Sequence, residues 1–188
     1  MKDRSILSVA VLCALVFIGS TGCAHLHGHG ESWSSINQAV AVMHPTLDSN
    51  TRGTVTFTQV SGGVYISANI EGLNPGAMHA IHIHQYGDAR DPKGKSAGGH
   101  YNPQNHPHAG PAAAMRHAGD LGNLEADSTG RAHYERLDTQ ISIAGLKNPV
   151  IGRGVIIHAG ADDLTTQPTG AAGARIAIGV IGVAKPAN

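Results

Sequence analysis

Thr54-Val55-Thr56-Phe57-Thr58-Gln59-Val60 alternates β-forming residues, and after a glycine pair Gly63-Val64-Tyr65-Ile66-Ser67-Ala68-Asn69-Ile70 repeats the pattern. A period of two puts every second side chain on one face of an extended chain, so both runs read as half-buried strands. The rhythm starts at about Gln38, and Asn74-Pro75-Gly76 marks a turn within it. Further strands are expected over residues 79–86, 121–126, 131–137, 150–158 and 175–183. No segment sustains a helical period. Short strands separated by turn residues imply an all-β sandwich or barrel.

Two stretches interrupt this rhythm. Residues 87–119 are rich in Gly, Pro, Asn and His, and residues 159–174 form a shorter irregular segment. Loops of such length inside one domain are usually functional or disordered. The chain holds 13 histidines, and they gather on or beside these loops. His82 and His84 lie two apart on an expected strand, so both rings project from one face. His100, His106, His108 and His117 fall in the long loop, Asp120 follows at its end, and His158 closes another apolar run. Imidazole nitrogens suit copper and zinc, and three histidines with a carboxylate suit a closed tetrahedral zinc site. A bound metal would also order a loop with so little apolar surface to bury.

The first residues speak to compartment. Lys2 and Arg4 precede the apolar run Ile6 to Ile18, then Gly19-Ser20-Thr21-Gly22-Cys23. That is the order of a secretory signal peptide over residues 1–22, and its apolar run is shorter than a membrane span needs. Cys23 after small residues resembles a bacterial lipobox, where the cysteine carries the lipid, although Ser20 stands where leucine is usual. Ordinary cleavage nearby, with Cys23 an idle thiol, is the other reading. Residues 23–37, with His25, His27 and His29, read as a flexible tether, and residues 38–188 as the folded domain. The tether histidines either capture metal or are simply solvated. Both cysteines, Cys13 and Cys23, lie in the leader or at its edge, so no disulfide is expected inside the domain. With 13 Lys and Arg against 13 Asp and Glu there is no basic excess for nucleic acid. The expected location is the bacterial cell envelope or periplasm, with the membrane as partner through Cys23.

Several motifs together resemble one known family. His79-Ala80-Ile81-His82-Ile83-His84-Gln85-Tyr86-Gly87-Asp88 is similar to the copper-binding strand of the Cu,Zn superoxide dismutases. Gly98-Gly99-His100-Tyr101-Asn102-Pro103, His108-Ala109-Gly110-Pro111, and Arg116-His117-Ala118-Gly119-Asp120-Leu121-Gly122-Asn123 follow in family order. So do residues 158–163 and Gly173-Ala174-Arg175-Ile176-Ala177-Ile178-Gly179-Val180-Ile181-Gly182.

The resemblance, over residues 38–185, implies a Greek-key β-barrel or sandwich of about eight antiparallel strands with two long functional loops. It implies copper on His82, His84, His100 and His158, and zinc on His100, His108, His117 and Asp120, with the His100 ring bridging the two metals. Asp162 takes the place of the family's outer aspartate, which ties a copper ligand to a zinc ligand and fixes their rings. Arg175 takes the place of the guanidinium that guides superoxide to the copper. His106 is then a spare, expected to be an exposed loop residue, and His79 a packing histidine.

The chain departs from the family at one cross-link. The usual disulfide positions are Gly94 and Ile178 here, so that bond is absent. The loop concerned often contributes to subunit contacts, which leaves both a monomer and a homodimer open. The 159–174 loop carries no Lys or Arg, so Lys93 and Lys95 in the long loop are candidates for attracting the anion; exposed solubility lysines are the other reading. Two functions remain: dismutation of superoxide to oxygen and peroxide, or a non-catalytic lipoprotein that buffers copper and zinc. A four-ligand zinc site leaves no position for water, which disfavours a zinc hydrolase.

Overall fold

Alternation becomes architecture in the second and third strands. The computed structural model describes residues 35–185. Strand β1 spans Gln38–Pro45, β2 Arg52–Val60, β3 Gly63–Glu71, β4 Met78–His84 and β5 Asp120–Glu125. Then come β6 Ala132–Asp138, β7 Gly154–His158, β8 Arg175–Val180 and the short β9 Gly182–Val183. Val55 and Phe57 of β2 face Val64, Ile66, Ala68 and Ile70 of β3 in one buried core, with Ala39, Ala41 and Met43 from β1. Their alternate neighbours Tyr65 and Val42 are exposed, as the period of two requires.

The strands follow the order β5-β4-β7-β8-β1-β2-β3-β6, every pair antiparallel, with β9 added beside β1. Strand β1 is the hinge of this path. Its first residues pair with β2, while His44 and Pro45 pair with Ile178 and Ala177 of β8. The two ends of the path, β5 and β6, meet where the Tyr134 hydroxyl donates to the Leu121 carbonyl at 2.8 Å. The result is a nearly closed Greek-key barrel, which leaves little exposed edge.

Two strands differ from the simple alternation. His79 to His84 of β4 and all of β7 are buried on both faces. Ile81, Ile83, Val155 and Ile157 supply the core side. The other side of β4 faces the long loop, which folds back along its end. Ile83 N donates to Gly119 O, Tyr101 N to Ile83 O and Gly119 N to Tyr101 O, each at 2.8–2.9 Å. The approach is so close that a Cβ on Gly119 would sit 2.1 Å from the Ile83 carbonyl oxygen.

Boundaries moved where backbone partners changed. The run expected over 150–158 begins only at Gly154, because Gly152 turns at φ 79°. The run expected over 175–183 splits at Ile181, whose N–H donates to Arg153 O instead of a strand neighbour. The proposed leader and most of the tether, with Cys13, Cys23, His25, His27 and His29, lie outside the described residues.

Candidate metal centre

His82 and His84 leave β4 on the face away from the core, two residues apart, as their spacing requires. His158 ends the neighbouring strand β7, where the pairing with β8 slips between Ile157 and His158. A second slip, between Ala80 and His82, sets β4 against Asp120, the first residue of β5. Such irregularities commonly re-aim side chains beside functional sites. His100 comes in from the long loop and pairs with His84 as an isolated bridge.

These residues form two groups that share one ring. His82, His84, His100 and His158 each offer a ligand atom within 4.8 Å of the others, and so do His100, His108, His117 and Asp120. All seven residues are buried. The His82 and His100 ring centroids lie 3.9 Å apart, and His100 stands 5.4 and 5.3 Å from His108 and His117.

The hydrogen bonds fix which nitrogen of each ring is free. His84 Nδ1 donates to Gly98 O at 2.9 Å, and His158 Nδ1 to Gly173 O at 3.2 Å. His82 Nε2 donates to Asp162 Oδ2, and His108 Nε2 to Asp162 Oδ1, both at 2.8 Å. The opposite nitrogens, His82 Nδ1, His84 Nε2, His108 Nδ1 and His158 Nε2, together with His100 Nε2, are buried without a hydrogen-bond partner. On a neutral ring whose other nitrogen donates, each free nitrogen is a bare lone pair. Lone pairs converging in the dry interior are costly unless a cation sits among them.

In the second group only the facing nitrogen of His108, Nδ1, is left without a hydrogen-bond partner. Asp120 Oδ1 lies 2.9 Å from His100 Nδ1, 3.0 Å from His108 Nδ1 and 3.2 Å from His117 Nδ1. Acceptor faces acceptor at His108, which a metal ion resolves and a hydrogen bond does not. The donor set therefore fits two transition-metal ions, one nitrogen-only and one with a carboxylate.

Electrostatics favour binding-competent protonation states. Burial pulls His100 down to about 4 and His158 down to about 3, and burial with repulsion from His100 holds His84 well below the usual imidazole range. For Asp120 burial acts upward, but hydrogen bonds from His100 and His117 outweigh it and keep the carboxylate charged. Asp162 is likewise held below the ordinary value, its burial outweighed by bonds from His82, Leu164 N–H and His108. Asp162 is buried, while its neighbour Asp163 is exposed.

Arg175 opens β8 at the rim of the first group. Its Nη1 and Nη2 donate to Gly94 O and Gly98 O, both at 2.5 Å, and Gly98 O also accepts from His84. The guanidinium is thus one shared carbonyl away from a site histidine. It lines a cleft with Lys93, Lys95, Gly173 and Ala174.

The sequence profile of the copper/zinc superoxide dismutases matches residues 51–181. The chain belongs to the copper/zinc superoxide dismutase family. It is 40% identical to a Cu-Zn superoxide dismutase of Paramecium bursaria Chlorella virus 1, over 95% of this chain and 94% of the relative. It is 42% identical to an extracellular Cu-Zn superoxide dismutase of Drosophila melanogaster, over 86% and 93% of the two chains. A Humicola lutea Cu-Zn superoxide dismutase is 43% identical, over 78% of this chain and 99% of its own.

Within this family member, two expectations need correction or addition. His106 is half-buried rather than exposed: its Nδ1 donates to Arg116 O at 3.3 Å, and its backbone is held by the Asn102 side chain. His79 is buried as expected, but it also ties strands, donating from Nδ1 to His158 O at 2.9 Å and accepting from Asn74 N at 3.3 Å.

Three further residues act on the site through backbone. Arg116, 1% exposed, donates from Nη1 to the carbonyls of His117, Ala118 and Asp120, and from Nη2 to Asp138 at 2.5 Å. Asn123 holds the backbone of Asp162 with both ends of its amide. Gln167 does the same to His108. Arg116 and Asn123 lie within a recognisable motif; Gln167 had no signal in the sequence.

Proposed function

We propose that this chain dismutates superoxide to oxygen and hydrogen peroxide, with copper on His82, His84, His100 and His158 and zinc on His100, His108, His117 and Asp120. The carrying observation is that four buried ring nitrogens of the first group, and His108 Nδ1 in the second, are left without hydrogen-bond partners. Copper held by the first group would supply one-electron chemistry between Cu(II) and Cu(I), and zinc, which has no redox chemistry, would be held by His100, His108, His117 and Asp120.

The chain's own residues divide the remaining work. Asp162 holds His82 and His108 in one orientation, so the two metal sites share a common support. Arg175, fixed by two carbonyls, presents the rest of its guanidinium to an anion in the cleft. His100 Nε2, buried and without a hydrogen-bond partner, is the atom placed to take and release a proton between half-reactions. A metal store has no use for a fixed cation at its mouth, which favours catalysis over buffering.

Export and lipid attachment through Cys23 belong to the same proposal. They rest on the order of residues 2–23 and on relatives named extracellular, from Brugia pahangi and Drosophila melanogaster.

The test is superoxide decay by pulse radiolysis with the full-length protein, loaded with copper and zinc and assayed per bound copper. Decay near the diffusional range is expected, lost on copper removal and lowered about tenfold or more by Arg175→Ala. Full copper occupancy with decay no faster than background would leave a metal-binding lipoprotein as the better reading.

A further inference from the structure

The loop over residues 159–174 does more than border the cleft. Gln167 Oε1 accepts from His108 N at 2.8 Å, and Gln167 Nε2 donates to His108 O at 2.7 Å. Its primary amide thus stands in for a strand neighbour at a residue that has none, satisfying both backbone groups at once. The loop touches the same residue again through its ring, by the bond from His108 Nε2 to Asp162 Oδ1. Gly170 packs so tightly beneath this junction that a Cβ there would lie 1.9 Å from Asp162 Oδ1 and 2.8 Å from His108 Nε2. The far end of the loop, Gly173 and Ala174, lines the cleft with Arg175.

We propose that Gln167 is a positioning residue for the zinc centre, holding the His108 backbone so that zinc binding and the wall of the substrate cleft are coupled. This rests on the zinc assignment made above. Asp162 fixes the ring of His108 at its far nitrogen, but the point from which the ring projects is set by a backbone that has no strand neighbour. The clamp on His108 N and O fixes that point and the direction of its Cα–Cβ bond. The hydrogen bonds of Gln167 go to the His108 backbone and, within its own loop, to Thr165 O, and none goes to a ring or carboxylate of the metal groups. No partner of the nitrogen-only group is removed with it.

The experiment measures Zn²⁺ and Cu²⁺ affinities of the full-length protein by chelator competition, together with the melting temperature of the metal-free form. Outer partners of metal ligands commonly carry 10–100-fold in affinity. Gln167→Ala should weaken Zn²⁺ about tenfold and leave Cu²⁺ affinity and the metal-free melting temperature near wild type. Gln167→Glu keeps the acceptor for His108 N and loses the donor to His108 O, so its Zn²⁺ affinity should fall between the two. An unchanged Zn²⁺ affinity in Gln167→Ala overturns the proposal while leaving the zinc assignment intact. Equal losses of both metals, or a matching drop in metal-free stability, also overturn it, by showing a general structural role. A wild-type protein that takes up no Zn²⁺ overturns both.

Discussion

His84, His100 and His158 are neutral in the folded chain because burial strips water from the charged ring. In the unfolded chain the same rings titrate near 6.5. Below that pH the unfolded state binds more protons, so the stability these rings confer is complete above about 6.5 and is lost as pH falls toward about 4 and 3. Asp120 and Asp162, held low when folded, add a loss of the same sign below the ordinary carboxylate range. Thermal melts of the metal-free protein should therefore drop steadily from about pH 7 to about pH 4; a flat profile would mean the rings titrate as in free solution. A different logic governs Arg116 and Asp138, both buried and paired. Asp138→Asn leaves a buried guanidinium without its counter-charge, a change that typically costs about 3–5 kcal/mol. Arg116 also holds the carbonyls of His117 and Asp120, so denaturant unfolding of this variant should show the loss alongside weakened Zn²⁺ binding.

Among the elements, the long loop is held to the barrel without a covalent link. Ala97 of the loop, Ile156 of β7 and Ile178 of β8 form a small apolar cluster of their own, and Arg175 bonds the loop at Gly94 and Gly98. Ile178→Ala should cost about 2–4 kcal/mol by opening a cavity there. Reductant should leave the melting temperature of the metal-free wild-type protein unchanged, since residues 24–188 contain no cysteine; a reductant-sensitive melt of that form would point to a cross-link through Cys13 or Cys23. The strands were legible because alternation is a property of the sequence itself: β2, β3 and β6 lie within two residues of where the pattern put them. The seven candidate ligands were legible because motif order survives even where strand ends shift. Gln167, Asp138 and the second role of His79 were not. Each acts on a backbone group or a buried partner far away in the chain, and neither leaves a trace in local periodicity.

At the scale of the molecule, formal charge sums to zero, so net attraction for a superoxide anion is absent and local placement decides. The 159–174 loop contributes Asp162 and Asp163 and no cation, yet the cleft is not bare. Lys93 and Lys95 line it with Arg175, both exposed and both on the loop that Arg175 itself holds in place. Asp48 and half-buried Asp91 lie nearby and offset part of that field, so without the two lysines Arg175 would stand alone against two carboxylates. Screening reaches about 10 Å at 0.1 M salt and about 3 Å at 1 M, so attraction from this distance fades quickly with ionic strength. Replacing both lysines by glutamine should slow the reaction severalfold at low salt, flatten its salt dependence, and leave the rate near wild type at about 1 M salt. Pulse radiolysis across a salt series reads all three effects on one preparation. A double variant with the wild-type salt slope would assign these lysines to solubility and leave the anion's capture to Arg175 alone.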